Sequence, residues 1–354
     1  MATVTRTHLA ELLTGAGLRH AVVPLQNDVT IVVSERGGRV FGPFLTPDTD
    51  SLTWSSPALT SAEALTAFLA EDDWNLGGER IWVAPEIQFN VADRTDFWGT
   101  LSVPPQMDPG TWSLETVGTT GVALRQAMIL RAHNLAEGEL SVSLIQRIAA
   151  ARDPLRDLAG ADALLDGVVY AGYHHAVTLA QAAPSDIVAE SWDLLALNPG
   201  GEILIPASPS AAYTDFFEPI DGDHLTREPK GLRLRITGDR RYKIGLKAAH
   251  LFGRLGYRGA LPDGRAYLLV RNFYNDPSSP YSEEPANRAG CAGHSVHVYN
   301  DGGMFGQFGE LEVNGRPIGG DTERVTGTDT FTLWCYVGPP RSVDEIAIHL
   351  LGLV

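Results

Sequence analysis

The chain has 354 residues, of which 44% are apolar and 20% charged, the balance of a globular protein rather than a disordered one. A formal charge of −16 argues against a nucleic-acid partner, because that affinity rests on neutralising phosphates with Lys and Arg. No cationic amphipathic stretch suggests a membrane surface, and no apolar run approaches a bilayer span.

The N-terminal "MATVTRTHLAELLTGAG" has neither a long apolar core nor a cleavage-site pattern, so no signal peptide is expected. Within it "THLAELLTGAGL" (7–18) predicts a helix, with a Thr cap, apolar residues at helical spacing and a Gly stop. "AVVPLQNDVTIVVSERGGRVFGPFL" then reads as two strands around a polar turn, and "TSAEALTAFLAEDD" (60–73) as a second helix. From residue 80 onward the pattern is strand after strand, from "RIWVAPEIQF" and "WSLETVGTTGVALRQAMIL" to "DTFTLWCYV" and "DEIAIHLLGL". These segments are short and rich in Val, Ile, Leu, Thr and aromatics, with Gly, Pro, Asn and Asp between them. The spacing suits stacked antiparallel sheets. With no low-complexity linker, the expectation is one all-β domain over 1–354, with 1–76 packed on it as strands and short helices.

Cys291 and Cys335 are far apart and lack CxxC spacing, so reduced thiols and a cytoplasmic location are expected. The spacing of His294 and His297, three apart, puts them on opposite faces of a strand and makes them poor joint metal ligands. No metal or cofactor is expected. A mixed site of His297 with Glu310 or Glu312 remains an alternative.

"FGQFGELEVNGRP" (305–317) sets Glu310 and Glu312 on one side of a strand, where carboxylates repel and are costly to bury. A solvated face or a salt bridge to Arg is the bland account; a cleft is the functional one. In "GGERIWVAPE" (77–86), Arg80, Trp82 and Glu86 share strand parity. An Arg fork with an aromatic face suits a sugar ring, but a core Trp with an Arg80–Glu86 pair fits equally. Lys243 in "YKIGL" is either a contact to a ligand or an exposed strand lysine. His297 and Tyr299 in "HSVHVYND" share a face and suit hydrogen bonds to hydroxyls. Trp98 and Trp192 read as core residues. No G-x-S-x-G elbow, Walker loop, HExxH or dinucleotide fingerprint occurs in a fitting context.

Four stretches in order, "GGERIWVAPE", "ESWDLLALNPGGEILIPAS", "YKIGLKAAHLFGRLGY" and "HSVHVYNDGGMFGQFGELEVNGRP", resemble the galactose mutarotase-like superfamily. The likeness is to its uncharacterised members with a GGxRxWxxPE segment. It implies a large antiparallel β-supersandwich and acid–base chemistry on a monosaccharide or short sugar, with aldose 1-epimerisation first in line. A sugar lyase or hydrolase, or a non-catalytic carbohydrate-binding sandwich, is the alternative. The resemblance makes Glu312 of "LEVNGRP" the base, in the position of the family's L-E-x-x-x-x-P. It makes His174 or His175 of "YHHAVTLAQ" the acid, although the Asn, Tyr, Phe and later Asn of the family's histidine motif are missing. Arg80, Trp82, Glu86, Lys243, His297, Tyr299 and Glu310 would then bind the sugar. The expected partner is a small carbohydrate, with a homo-oligomer left open.

Overall fold

The computed structural model describes residues 4–71, 73–118 and 120–353. Asp72 and Thr119, which fall in expected elements, lie outside the described residues. Among the described residues two large sheets form, with every strand pairing antiparallel, as the turn-punctuated pattern predicts. One sheet has nine strands. From one edge they run His20–Pro24, Thr30–Ser34, Arg39–Phe44, Glu79–Ala84, Glu190–Leu197, Gly309–Asn314, His294–Asp301, Arg241–Lys247 and Tyr213–Asp215. The other has ten strands, with Ala266–Asn272 and Thr326–Gly338 at its centre, followed by Val169–Gln181 and Gly138–Ala150.

Alternation assigns the faces. In the nine-stranded sheet Ile81, Val83, Leu195, Leu311, Val313, Val298 and Ile244 belong to the core that includes Leu144, Val177, Leu179, Leu269 and Leu333 of the other sheet. Their neighbours Arg80, Trp82, Glu310, Glu312, Tyr299 and Lys243 take the opposite face. Even there the strands stay buried, because helices and long loops cover them.

Three local readings need correction. "AVVPLQNDVTIVVSERGGRVFGPFL" makes three strands, not two, because Arg36–Gly38 forms a second turn through Gly37 at φ 71°. The first helix, Arg6–Gly15, is capped by Thr5 rather than Thr7. "DEIAIHLLGL" belongs to a helix, Pro340–Leu351, that buries Val343, Ile346, Ala347, Leu350 and Leu351. That is the period of a helix face, opened by Pro340 and closed by Gly352 at φ 74°. It covers the outer face of the ten-stranded sheet over Leu268, Val270, Trp334 and Tyr336. No helix among the described residues is long and apolar enough to cross a membrane.

Candidate active site

The face of the nine-stranded sheet turned away from the other sheet floors a cavity of about 360 Å3. Arg80 and Trp82 enter from Glu79–Ala84, a strand introduced by Gly77 and Gly78 at φ 81° and 73°. A Cβ on Gly78 would come within 2.6 Å of the Val40 carbonyl oxygen, so this tight approach requires glycine. Trp192 and Leu194 come from the next strand, Glu310 and Glu312 from Gly309–Asn314, Tyr299 from His294–Asp301, and Lys243 from Arg241–Lys247. Trp74, Trp98, Phe217, Phe305 and Phe308 complete an aromatic wall.

Glu86 also reaches the cavity, but not along the strand as parity suggested. The strand ends at Ala84, Pro85 follows, and Glu86 opens the short helix Glu86–Phe89. Its backbone N–H donates to Glu283 Oε2 at 2.5 Å, which ties the helix start to the loop before His294–Asp301.

Two ion pairs organise the floor. Arg80 Nη1 donates to Glu310 Oε1 at 2.6 Å, and its guanidinium carbon lies 4.2 Å from the centre of the Trp82 ring and 5.0 Å from that of Trp74. Lys243 Nζ donates to Glu86 Oε2 at 3.0 Å and lies 3.2 Å from Glu312 Oε2. The indole N–H of Trp192 donates to the same Glu312 oxygen at 3.1 Å. So the alternative of an Arg80–Glu86 pair gives way to Arg80–Glu310 and Lys243–Glu86, and Lys243 is 2% exposed rather than a surface lysine. Burial pushes the Glu312 carboxyl up to about 7, against the pull of Lys243 and with help from Glu310 and Glu86. Burial alone would discharge Lys243; the carboxylates of Glu312, Glu86 and Glu283 overrule it and raise its pKa. Glu312 is therefore poised to exchange a proton near neutrality beside a fixed cation.

Asp301 builds the rim. Its carboxylate accepts from the backbone N–H of Phe305, Gly306 and Gln307 at 2.9–3.0 Å, and from Tyr299 Oη at 2.8 Å. Four donors on one carboxylate fold residues 301–308 into a compact loop that sets Phe305 and Phe308 against the cavity.

A family model described as a family of unknown function, DUF6786, matches residues 21–353. The chain belongs to the DUF6786 family. No curated protein matches this DUF6786 sequence. Solved structures similar to it include a candidate aldose 1-epimerase from Escherichia coli K12, at 12% identity over 90% of this chain and 99% of that one, TM-score 0.48. A galactose mutarotase-like protein from Lactobacillus casei ATCC 334 is similar at 11% identity, 90% and 99% coverage and TM-score 0.45. A galactose mutarotase related enzyme from Lactobacillus acidophilus gives 7%, 90%, 97% and 0.45.

Of the site residues read from the DUF6786 sequence, Arg80, Trp82, Glu86, Lys243, Tyr299, Glu310 and Glu312 all line the cavity. His174 and His175 do not. Both sit on Val169–Gln181 of the other sheet, where alternation turns them to opposite sides. His174 is on the outer side, its Nδ1 2.9 Å from Thr332 Oγ1. His175 points between the sheets, with Nδ1 2.5 Å from Glu79 Oε1 and Nε2 2.8 Å from Gln146 Oε1. Tyr173 also donates to Glu79, and Arg271 lies 3.1 Å from Glu79 and 3.0 Å from Asp193. Burial would raise Glu79, but Arg271 and His175 hold it below the usual carboxylate range. Glu79, His175 and Asp193 bring potential metal-ligand atoms within 4.8 Å of one another. The Arg271 guanidinium already supplies the positive charge there, so the cluster reads as a structural ion network.

His297 is the cross-strand partner of Glu312, though it lies behind the cavity lining. It shares one side with His294, ring centres 6.0 Å apart, contrary to the opposite-face expectation. A β-bulge is the reason: Lys247 pairs with His294 but Leu246 with Val296, so Ser295 is the extra residue. Trp192 belongs to the core, as read, and lines the cavity as well, whereas Trp98 is corrected from core to cavity: it is 40% exposed at the mouth, where Arg241 stacks on it at 3.9 Å. Sequence reading missed Trp74, Asn90, Phe217, Phe305 and Phe308. The Gly-flanked "GMFGQFG" run was the one signal pointing to the last two.

Proposed function

We propose that the cavity binds a monosaccharide or short sugar and that Glu312 is its general base, with aldose 1-epimerisation as the first reaction class. One observation carries this reading: a carboxyl poised near pH 7 on the floor of an aromatic-walled cavity. Aromatic faces stack on the apolar side of a pyranose, and carboxylates accept from its hydroxyls. Opening the ring requires removal of the anomeric hydroxyl proton and delivery of a proton to the ring oxygen. Glu312 supports the first role. For the second, Lys243 and Tyr299 are the titratable donors that line the cavity, in place of the histidine the sequence suggested. Tyr299 hydrogen-bonds Asp301 and Lys243 is held as a cation, so either would act through a chain that reprotonates it.

The absence of an imidazole from the cavity lining among the described residues favours one rival, a sugar-binding site without chemistry. NMR-followed anomer exchange across hexoses and pentoses separates the two. The enzymatic reading expects accelerated exchange that rises as pH climbs through about 7, where Glu312 loses its proton, and that is lost in folded Glu312→Gln. Binding without acceleration for any sugar leaves the rival.

A further inference from the structure

The polar atoms left open in the cavity are unequal in sign. Glu86 Oε2, Glu310 Oε1 and Glu312 Oε2 are engaged with Lys243, Arg80 and Trp192. The second oxygen of each carboxylate accepts no hydrogen bond among the described residues, although all three side chains line the cavity. The two cations are committed. Lys243 spans two carboxylates beneath the Trp192 ring, and Arg80 lies against Trp82 and Trp74 with Nη1 donating to Glu310. Two cations thus face three acidic side chains; burial raises the Glu283 carboxyl behind Glu86 well above the usual carboxylate range, so it adds no charge.

Asn90 is the independent sign that something polar belongs here. It lines the cavity, is 2% exposed, and neither its Nδ2 nor its Oδ1 has a partner. An amide buried in this way forfeits both hydrogen bonds unless a ligand supplies them. That ligand must offer a donor and an acceptor at one edge.

We infer that the sugar taken by this cavity carries an ammonium group: its class is an unacylated amino sugar, not a sugar phosphate or a uronic acid. The inference rests on the carbohydrate reading above. An ammonium supplies three donors to carboxylate oxygens that lack them and offsets the surplus negative charge. An anionic group would meet three acidic side chains, and the Lys243 and Arg80 heads on the floor are each already paired with one of them. The position nearest solvent is Glu86, whose side chain is 14% exposed against 1% for Glu312, so Glu86 is the principal discriminator.

Isothermal titration calorimetry at about pH 7 and low salt tests this with glucosamine, glucose, N-acetylglucosamine, glucuronate and glucose 6-phosphate. Glucosamine should bind at least about tenfold tighter than glucose. N-acetylglucosamine should fall back toward glucose, and the two anions should give no heat. In Glu86→Gln, shown folded by circular dichroism, the glucosamine-to-glucose ratio should fall toward one. Glucose or N-acetylglucosamine binding as tightly as glucosamine overturns the ammonium inference and leaves the sugar site standing. A ratio unchanged in Glu86→Gln overturns the role of Glu86. If no sugar of any charge binds, the carbohydrate reading itself is refuted.

Discussion

Replacing Lys243 with Met removes one buried charge and keeps most of the side-chain volume. Lys243 is 2% exposed and contacts two carboxylates, one of them the 1% exposed Glu312. Deleting one partner of a buried pair costs about 3–5 kcal/mol, because the other is left charged in a poor solvent. Here the carboxylate can relieve the cost by taking a proton, and this makes the loss depend on pH. The pKa of Glu312 is raised on folding, so the stability it lends is complete below its unfolded value and is lost as pH rises through about 7. Without Lys243 its folded pKa climbs further, and the variant goes on losing stability where the parent has levelled off. The gap between the proteins should therefore widen above pH 7 by about 1.4 kcal/mol per pH unit, until the variant's Glu312 ionises too. Urea unfolding of both proteins at about pH 6 and about pH 9 measures this. An equal gap at the two pH values would refute the coupling of Lys243 to Glu312.

Two further outcomes follow from the same structure. Arg271→Met should destabilise by about 3–5 kcal/mol, seen as a lower urea midpoint, because Glu79 and Asp193 are left facing each other between the sheets; a midpoint within error of the parent would show that the network is dispensable. Asp301→Asn should loosen residues 302–308, seen as faster amide exchange at Phe305, Gly306 and Gln307. The whole-chain unfolding free energy from urea titration should fall by no more than about 1–3 kcal/mol, since an amide oxygen still accepts part of that set. Unchanged exchange would mean that Asp301 does not hold the rim.

Period-two patterning carried the fold. It located most strands and set Glu310 with Glu312, and Arg80 with Trp82, on shared faces, all four of which line one cavity. It failed where regular alternation is broken. Pro85 turns Glu86 off its strand, and the bulge at Ser295 brings His294 and His297 to one side. Position along the chain does not reveal which sheet a strand joins. That is why His174 and His175, on an evident strand, belong to the sheet remote from Glu312. The aromatic wall was hardest to read. Trp74 and Phe217 lie outside the strands and Trp98 sits in a four-residue helix, so none has a period to mark it. Val343, Ile346, Ala347 and Leu350 did carry a helical signal, but a short apolar run admits both readings.

Arg80 and its partner Glu310 are 230 positions apart in sequence, and Lys243 and Glu86 are 157 apart. Binding chemistry built this way has no local precursor. Both couples can close only after the strands that bear them have been collected into one sheet, and non-local pairing of this kind is slow. Ligand recognition should thus appear at the end of refolding, in step with the last recovery of protease resistance rather than with early secondary structure.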